Sequence, residues 1–365
     1  MTLHASLAST RFELPDHLTA TEPPEHRGLD RDGVRLLVAE AVAGAAGQTD
    51  IRLAHCRFRE LGSYLRPGDL VVVNTSRTIA AEVDAVLDGD RPVVLHVATP
   101  LGDGSWVIEL RTAPDASRPV LDARPGARLG LADGVRARLL APYPGNAASP
   151  TGQGNRLWRA EVTGDLPEHL RRHGRPISYG YLSGQWPLAD YQTVFGRHPG
   201  SAEMPSAGRP FSTALVTDLI SRGIGFAAIT LHTGVSSQEA GEPPQPERFE
   251  VPAGTARLVN ATRQGGGRVI AVGTTVTRAL ESAADRAGRL SPARGWTELV
   301  IGPEHPARAV TGLITGLHNP DASHLLLVES VAGPRLAQRA YDAAVEARYL
   351  WHEFGDSCLL LAEPR

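Results

Sequence analysis

Polar side chains that could carry chemistry gather at three places where an apolar run ends. Asn74, Thr75, Ser76 and Arg77 follow Leu70–Val73, and Thr230, His232, Thr233 and Gly234 close a run that begins at Gly225. Gly273, Thr274, Thr275 and Arg278 follow the run Arg268–Val272. If these runs are strands of one open α/β sheet, their ends line the crevice in which such sheets bind ligands. The third place leads directly into a helix, whose free N–H groups favour an anion. Arg278 and Glu281 are three residues apart there and could pair on the helix surface. The plainer alternative is that Thr275 caps the helix and that pair sits in solvent.

Other chemistries find less support. A dinucleotide site wants a glycine-rich turn after the first strand, and Val73-Asn74-Thr75-Ser76-Arg77 lacks one. Gly265-Gly266-Gly267 precedes a strand, and no G-x-x-x-x-G-K-[ST] loop occurs, which argues against a nucleotide-binding Rossmann enzyme or an ATPase. His169 and His173 are four apart without an H-E-x-x-H pattern, so no metal site is expected. Arg171, Arg172 and Arg175 form a local basic cluster that suits either phosphate or plain solvent. Ser201–Phe211, with the small residues Ser206, Ala207 and Gly208 before Arg209, reads as a shaped loop and a candidate lid ahead of a helix.

The elements that must position these groups follow from texture. Before residue 80 a strand at Val34–Val38, a loop through AEAVAGAAGQTD, a short helix at Glu60–Leu65 and a buried strand at Leu70–Val73 are expected. Residues 80–162 change character: short apolar runs alternate with Gly, Asp and Pro turns, as in a small β-barrel or sandwich. From 163 helices and strands alternate again. Helices are expected at Phe211–Arg222 (capped by Ser212 or Thr213), Thr255–Gln264, Thr275–Ala284 and Leu336–Trp351. Strands are expected at Gly225–Leu231, Arg268–Val272, His324–Ser330 and Cys358–Leu361. The fold class is therefore α/β: a discontinuous α/β layer domain, 1–79 and 163–365, interrupted by an inserted all-β domain, 80–162, of β-barrel or sandwich type, the alternative being a β-rich lobe of one larger domain.

A chain of 365 residues with 42% apolar and 21% charged residues is an ordinary globular protein in composition. A formal net charge of -3 neither demands nor excludes nucleic acid, since binding needs only one basic face. Cys56 and Cys358 are far apart and read as buried reduced thiols, which suits a cytoplasmic setting. No signal-peptide pattern and no apolar run of membrane-spanning length is expected.

Several segments, taken in order, resemble the S-adenosylmethionine:tRNA ribosyltransferase-isomerases of queuosine biosynthesis. FELPDHL resembles that family's opening, and FRELGSYLRPGDLVVVNTSRTIAA its strand with an N-[DT]-[TS]-R signature. DYQTVFGRHPGSAEMPSAGRPFS and the later LHTG are similar to its YQTVY...GS...PTAG-x-x-F...LHVG block. GGRVIAVGTTVTRALESAA is close to its most specific stretch, and TGLITGLHNPDASHLLLVESVAG and YLWHEFGDSCLLL complete the match. The resemblance implies a barrel inserted in an α/β domain and S-adenosylmethionine as cosubstrate. It also implies transfer and isomerisation of the ribosyl moiety onto an aminomethyl-deazaguanine in the tRNA wobble position, with loss of adenine and methionine.

Carried over motif by motif, Asn74, Thr75 and Arg77 would line the donor site. Gly273, Thr274, Thr275 and Arg278 would hold its polar groups, with Glu281 orienting Arg278. Thr230 and His232 would flank the reacting centre, and His318 would lie nearby. His232 is the preferred general acid or base, because a neutral imidazole can accept a proton near pH 7. Arg171, Arg172 and Arg175 would approach tRNA.

The departures cluster near substrate. Arg209-Pro210 stands where the family has a histidine before phenylalanine, and Pro205-Ser206 stands for Pro-Thr. HTGVSSQEAGEPPQPERFEVP is short, and of an E-x-H-x-M-H-S-E-like motif only a glutamate remains. Thr315–Pro320 replaces T-N-F-H-x-P. Three readings stay open: the family reaction on tRNA, a diverged enzyme using the same donor on a small-molecule acceptor, and an inactive ligand-binding relative. Oligomeric state is not legible.

Overall fold

The run Leu70–Val73 is uniformly apolar, as a strand must be when both its faces are covered. In the computed structural model, which describes residues 8–44, 49–145, 152–236, 242, 244–320 and 322–362, this strand lies inside a nine-stranded sheet. Ahead of the barrel come β1 (Arg35–Ala43), β2 (Thr49–Arg57), β3 (Leu70–Asn74) and the short β4 (Ser76–Thr78). The barrel strands are β5 (Glu82–Leu87), β6 (Arg91–Pro100), β7 (Trp106–Thr112), β8 (Arg128–Gly130), β9 (Arg136–Pro142) and β10 (Leu157–Thr163). After it come β11 (His198–Ser201), β12 (Gly225–His232), β13 (Glu247–Val251), β14 (Val269–Val272), β15 (Ala293–Thr297), β16 (Gly312–Gly316) and β17 (Ser357–Leu361). The helices are α1 (Leu166–His173), α2 (Thr213–Ser221), α3 (Ala253–Gln264), α4 (Thr274–Ser282), α5 (His324–Ala332) and α6 (Pro334–Glu346).

The large sheet has the order β15-β13-β12-β3-β14-β16-β17-β1-β2. β12, β3, β14 and β16 run parallel, so their carboxyl ends share one edge. Side chains alternate along each strand. Val72, Ala271 and Leu313 pack on one face with α3–α6, while Val71, Val73, Ile270 and Ile314 pack on the other with α2 and Phe58. β5–β10 close a six-stranded barrel around Leu95, Ile108 and Trp158. The architecture is thus the expected α/β sheet interrupted by a barrel.

Four local expectations are corrected. His324–Ser330 is not a strand but the start of α5: Leu325, Val328 and Val331 are buried at helical spacing, and a run of leucines suits either element. Of the supposed loop over 39–50, residues 39–43 and 49–50 are strand, with β1 pairing antiparallel with β2, while 45–48 lie outside the described residues. β2 is an edge strand with half its residues outside the core, so it carries no apolar run. The final long helix stops at Glu346, and Trp351 turns inward to donate to the His318 carbonyl at 3.1 Å. The helix expected at Glu60–Leu65 is a 3-10 turn over Phe58–Ser63, which ends before Tyr64. Of the two free thiols, Cys358 is buried and Cys56 only partly so.

The barrel carries a buried charged chain on the outer side of its wall, opposite the apolar interior, where Ser178, Tyr179 and Glu242 cover it. His96 Nε2 meets Glu82 Oε2 at 2.9 Å, and Glu109 pairs with Arg111 at 2.7 Å and Arg156 at 3.1 Å. Arg156 continues to Glu242 at 2.7 Å. Burial would raise the Glu109 carboxyl, but Arg156, His96 and Arg111 outweigh it and hold it at about 2. Burial would lower His96, but Glu109 and Glu82 raise it. The depressed carboxylate contributes stability above the ordinary 4.5 that is lost as pH falls toward 2. The raised imidazole contributes stability below the ordinary 6.5 that is lost as pH rises through its folded value. Urea unfolding across pH should therefore show the barrel most stable between those ordinary values. Glu109→Gln should remove the acid limb and cost roughly 3–5 kcal/mol near pH 6, because it strands buried cations; an unchanged unfolding midpoint would refute this account.

Candidate active site

Backbone pairing between β3 and β12 reaches Asn74, opposite Ile229. Beyond that point the Asn74 side chain replaces the missing ladder. Its Oδ1 accepts from the N–H groups of Leu231 and Ser76, each at 3.0 Å, and its Nδ2 donates to the Leu231 carbonyl at 2.8 Å. Expected to line a ligand, Asn74 is instead buried and engaged with backbone. Thr75 Oγ1 donates to the Ile229 carbonyl and meets Thr230 Oγ1, both at 2.9 Å. Arg77 is exposed on β4.

With the strands held this way, Ser76 points at His232. Its Oγ lies 2.8 Å from His232 Nδ1 and 2.6 Å from Ser201 Oγ, which accepts the Thr233 N–H at 3.1 Å. Gly200, at φ +150, faces the same ring; a Cβ there would stand 2.6 Å from Nδ1. Only glycine lets β11 pass so close. Burial first, then the positive neighbours Arg248 and His198, push His232 down to about 4. The imidazole is therefore neutral at pH 7, and its Nε2 has no hydrogen bond to any described residue. Of the two roles open from sequence, acid or base, this state fits the base.

The turn after β14 brings a second group together. Gly273 adopts φ +93, its N–H donates to the Ile314 carbonyl at 2.7 Å, and a Cβ on it would approach Ala207 Cβ to 3.2 Å. The Ser206–Gly208 turn thus rests on the start of α4. No side chain caps that helix, which leaves the first N–H groups, at Thr274 and Thr275, as anion ligands. Two expectations fail here. Glu281 does not orient Arg278; it accepts the N–H groups of Arg308, Ala309 and Val310 at 2.9–3.0 Å. Arg278 is buried instead against Glu247, with the carbonyls of Leu299, Gln245 and Thr297 at 3.1–3.2 Å. Arg209 is likewise internal. It donates to the Asp190 carbonyl and to Glu25, each at 2.8 Å, and lies over the Phe354 ring.

Sequence reasoning missed a cluster beside these turns. Ser206, Arg209 and Gly316 line a narrow cleft with His352 and Glu353. Burial first, then Glu203, pushes the Glu353 carboxyl up to about 8, and its buried Oε1 has no hydrogen-bond partner among the described residues. Glu203 accepts from the Ser236 N–H at 2.8 Å and from the Tyr179 hydroxyl. His352 stacks on Tyr181 at 4.3 Å. His318, bonded to Thr315 at 2.9 Å, stacks on His324 at 4.8 Å, and burial holds both imidazoles neutral, His324 at about 4. Glu203 stood inside the loop already singled out, and Glu353 inside WHEFG. Their only signal was a lone carboxylate in an otherwise small or aromatic segment.

The basic cluster lies on and beyond α1. Arg171 and Arg172 both hold Glu168, at 2.6 Å and 2.7 Å, while Arg175 holds Glu82 at 2.6 Å and Asp84 at 2.7 Å.

The cleft beside Glu353 borders the same Ser206–Gly208 turn that rests on α4. Parallel strand ends that carry a neutral histidine and an uncapped helix start, in a sheet joined to a closed barrel, define an enzyme scaffold with its crevice at the carboxyl edge. Comparison with known proteins makes this particular. The model of the queuosine biosynthesis protein family matches residues 7–360, and the chain belongs to that family. It is similar to the S-adenosylmethionine:tRNA ribosyltransferase-isomerase of Symbiobacterium thermophilum, 35% identical over 97% of this chain and 99% of the relative. The enzyme of the same description from Acetivibrio thermocellus is 32% identical over 96% and 98%. The crystal structure of S-adenosylmethionine tRNA ribosyltransferase from Thermotoga maritima shares 29% identity, with a TM-score of 0.51 over 96% of this chain and 99% of that one.

The geometry around His232 makes one direct prediction. Followed by NMR, the His232 ring should titrate near 4. Arg248→Gln should move that midpoint upward, since a positive neighbour disfavours the imidazolium. A midpoint near 6.5 in the unaltered protein would contradict the burial described.

Proposed function

We propose that this protein transfers and isomerises the ribosyl moiety of S-adenosylmethionine onto an aminomethyl-deazaguanine wobble base of tRNA, giving epoxyqueuosine-tRNA with loss of adenine and methionine. The observation that carries the reading is full-length similarity to relatives of that description. The chemistry needs a base to take a proton from C5′, which the adjacent sulfonium acidifies. It also needs an acid for the departing adenine and an acceptor amine that is neutral. Groups whose environments push their pKa values apart are the natural acid and base.

His232, neutral at pH 7 with Nε2 open, is the base. Ser76 and Gly200 fix its ring, and Thr230 and Thr75 build the wall beside it. Glu353 holds a proton at pH 7 and serves as the acid toward adenine. The α4 start, with Gly273, Thr274 and Thr275, receives the carboxylate of the methionyl part, which is an anion of the right kind for a helix N-terminus. Arg278 acts through Glu247 and positions the shortened segment after β12. Arg209 positions the Ser206–Gly208 turn from behind. His318 and His324, both neutral, shape the cavity without adding charge to a cationic donor. Such a reaction relies on positioning and electrostatics in a dry pocket.

tRNA approach along α1 and Arg175 belongs to the same reading, with the reaction in the cytoplasm. Among the described residues no helix is long and apolar enough to cross a membrane.

The test is incubation with S-adenosylmethionine, with and without tRNA carrying the aminomethyl-deazaguanine, read by mass spectrometry. Adenine release and a modified base should both require that tRNA. Adenine release without tRNA consumption would move the acceptor to a small molecule, and no release at all would leave a ligand-binding relative. His232→Gln should lower turnover by about 10²–10⁴-fold, the usual worth of a general base; full turnover would remove it from that role. Arg171→Ala with Arg172→Ala should flatten the salt dependence of tRNA binding, by about 0.7–0.9 in logarithmic slope for each phosphate that an arginine neutralises.

A further inference from the structure

Outside the crevice, one cluster of ligating side chains has no role in the reading above. It joins the last turn of α1 to the barrel. His169 and His173 are one helical turn apart, so they project from the same face of α1. Opposite them Asp133 sits in a 3-10 turn over Ala132–Gly134, between β8 and β9, at φ +54. The candidate ligand atoms of the three residues all lie within 4.8 Å of one another. His173 Nε2 and Asp133 Oδ2 meet at 2.6 Å, and the two imidazoles are 4.7 Å apart.

His169 is what sets this apart from a surface ion pair. It is 3% exposed, and neither ring nitrogen has a hydrogen-bond partner among the described residues. A buried imidazole normally satisfies at least one nitrogen. Here both stay open in a polar corner beside a second histidine and a carboxylate.

We propose that Asp133, His169 and His173 form a divalent-metal site of the zinc class that fastens the end of α1 to the barrel. Two imidazole nitrogens and one carboxylate oxygen, with a water completing a tetrahedron, are ordinary zinc ligands. The nitrogen donors favour zinc over magnesium or calcium, which seek oxygen. Ligands about 2 Å from a shared tetrahedral ion stand about 3.3 Å apart. The exposed Asp133 and His173 side chains would therefore open slightly, and His169 would stay where packing holds it. The site is independent of the ribosyl-transfer reading: it uses none of the crevice residues, and its test measures metal alone.

Full-length protein, stripped with chelator, is titrated with Zn²⁺ against a colorimetric competitor, beside His173→Ala and His169→Phe. The second variant keeps the buried ring volume, and a circular-dichroism melt confirms that each variant folds. The unaltered protein should take up zinc, and each variant, having lost a ligand itself, should bind it at least about 100-fold more weakly, the upper end of what loss of a ligand's outer partner costs. Zinc should raise the melting temperature of the unaltered protein only, Mg²⁺ should not, and X-ray absorption should show nitrogen and oxygen neighbours. No uptake, equal uptake by the folded variants, or a sulfur neighbour implicating Cys56 or Cys358 would each overturn the assignment.

Discussion

The amide of Asn74 is the constraint on which the crevice depends. Two parallel strands, β3 and β12, must stay together up to their ends and then let the chain part, and backbone alone cannot serve both needs. One side chain supplies an acceptor for two N–H groups and a donor for one carbonyl. Buried, it makes these bonds in low dielectric, where leaving any of them unmade costs about 1–3 kcal/mol. Because Leu231 is held, His232 emerges at a fixed place; because the Ser76 N–H is held, its hydroxyl reaches that ring. A residue that reads as a ligand contact therefore acts one step earlier, by setting where the contacts can be.

The departures from the resembled family acquire a physical sense from the same economy of buried polar groups. Arg209, next to the Pro210 that stands in a histidine's place, ties the loop to Glu25, Asp190 and Phe354, so the opening lead of the chain and the WHEFG segment are gathered onto the same turn. In the shortened segment, Glu247 is the partner of Arg278. Its side-chain proton affinity is raised by burial, against the pull of Arg278. Both changed segments thus keep their positions through charge pairs; the one at Glu25 reaches solvent, and the largely buried one between Arg278 and Glu247 is the costlier to break.

How much was legible followed from the range of the forces. Leu70–Asn74 could be read because a strand covered on both faces leaves an unbroken apolar run. α5 could not, since a fully buried helix leaves the same run, and β2 could not, since an edge strand leaves none. The barrel was visible as alternating runs and turns, though not its closure. In the crevice, His232 announced itself by standing at a strand end. The partner of Arg278 did not: Glu281 is nearer along the chain, but Glu247, 31 residues away, is nearer in space. Glu353 was hidden for a related reason. Its proton affinity arises from burial and from Glu203, a neighbour that no local window contains.

The neck of the barrel bears on how such a chain can fold and change. The barrel leaves and re-enters the α/β part at a single point, where Glu82 and Arg175 exchange both backbone hydrogen bonds at 2.9 Å and pair through their side chains. Those two residues are 93 apart in the chain. Once the barrel has formed, its ends are already neighbours, and the flanking segments see a link hardly longer than a tight turn. Loop closure that would grow with the logarithm of the excursion is then almost independent of it. The sheet's strand order and register need no knowledge of what the barrel contains. A neck of this kind leaves the barrel free to lengthen or shorten its far turns, while the face that carries Arg156 stays tied to the segment after β12.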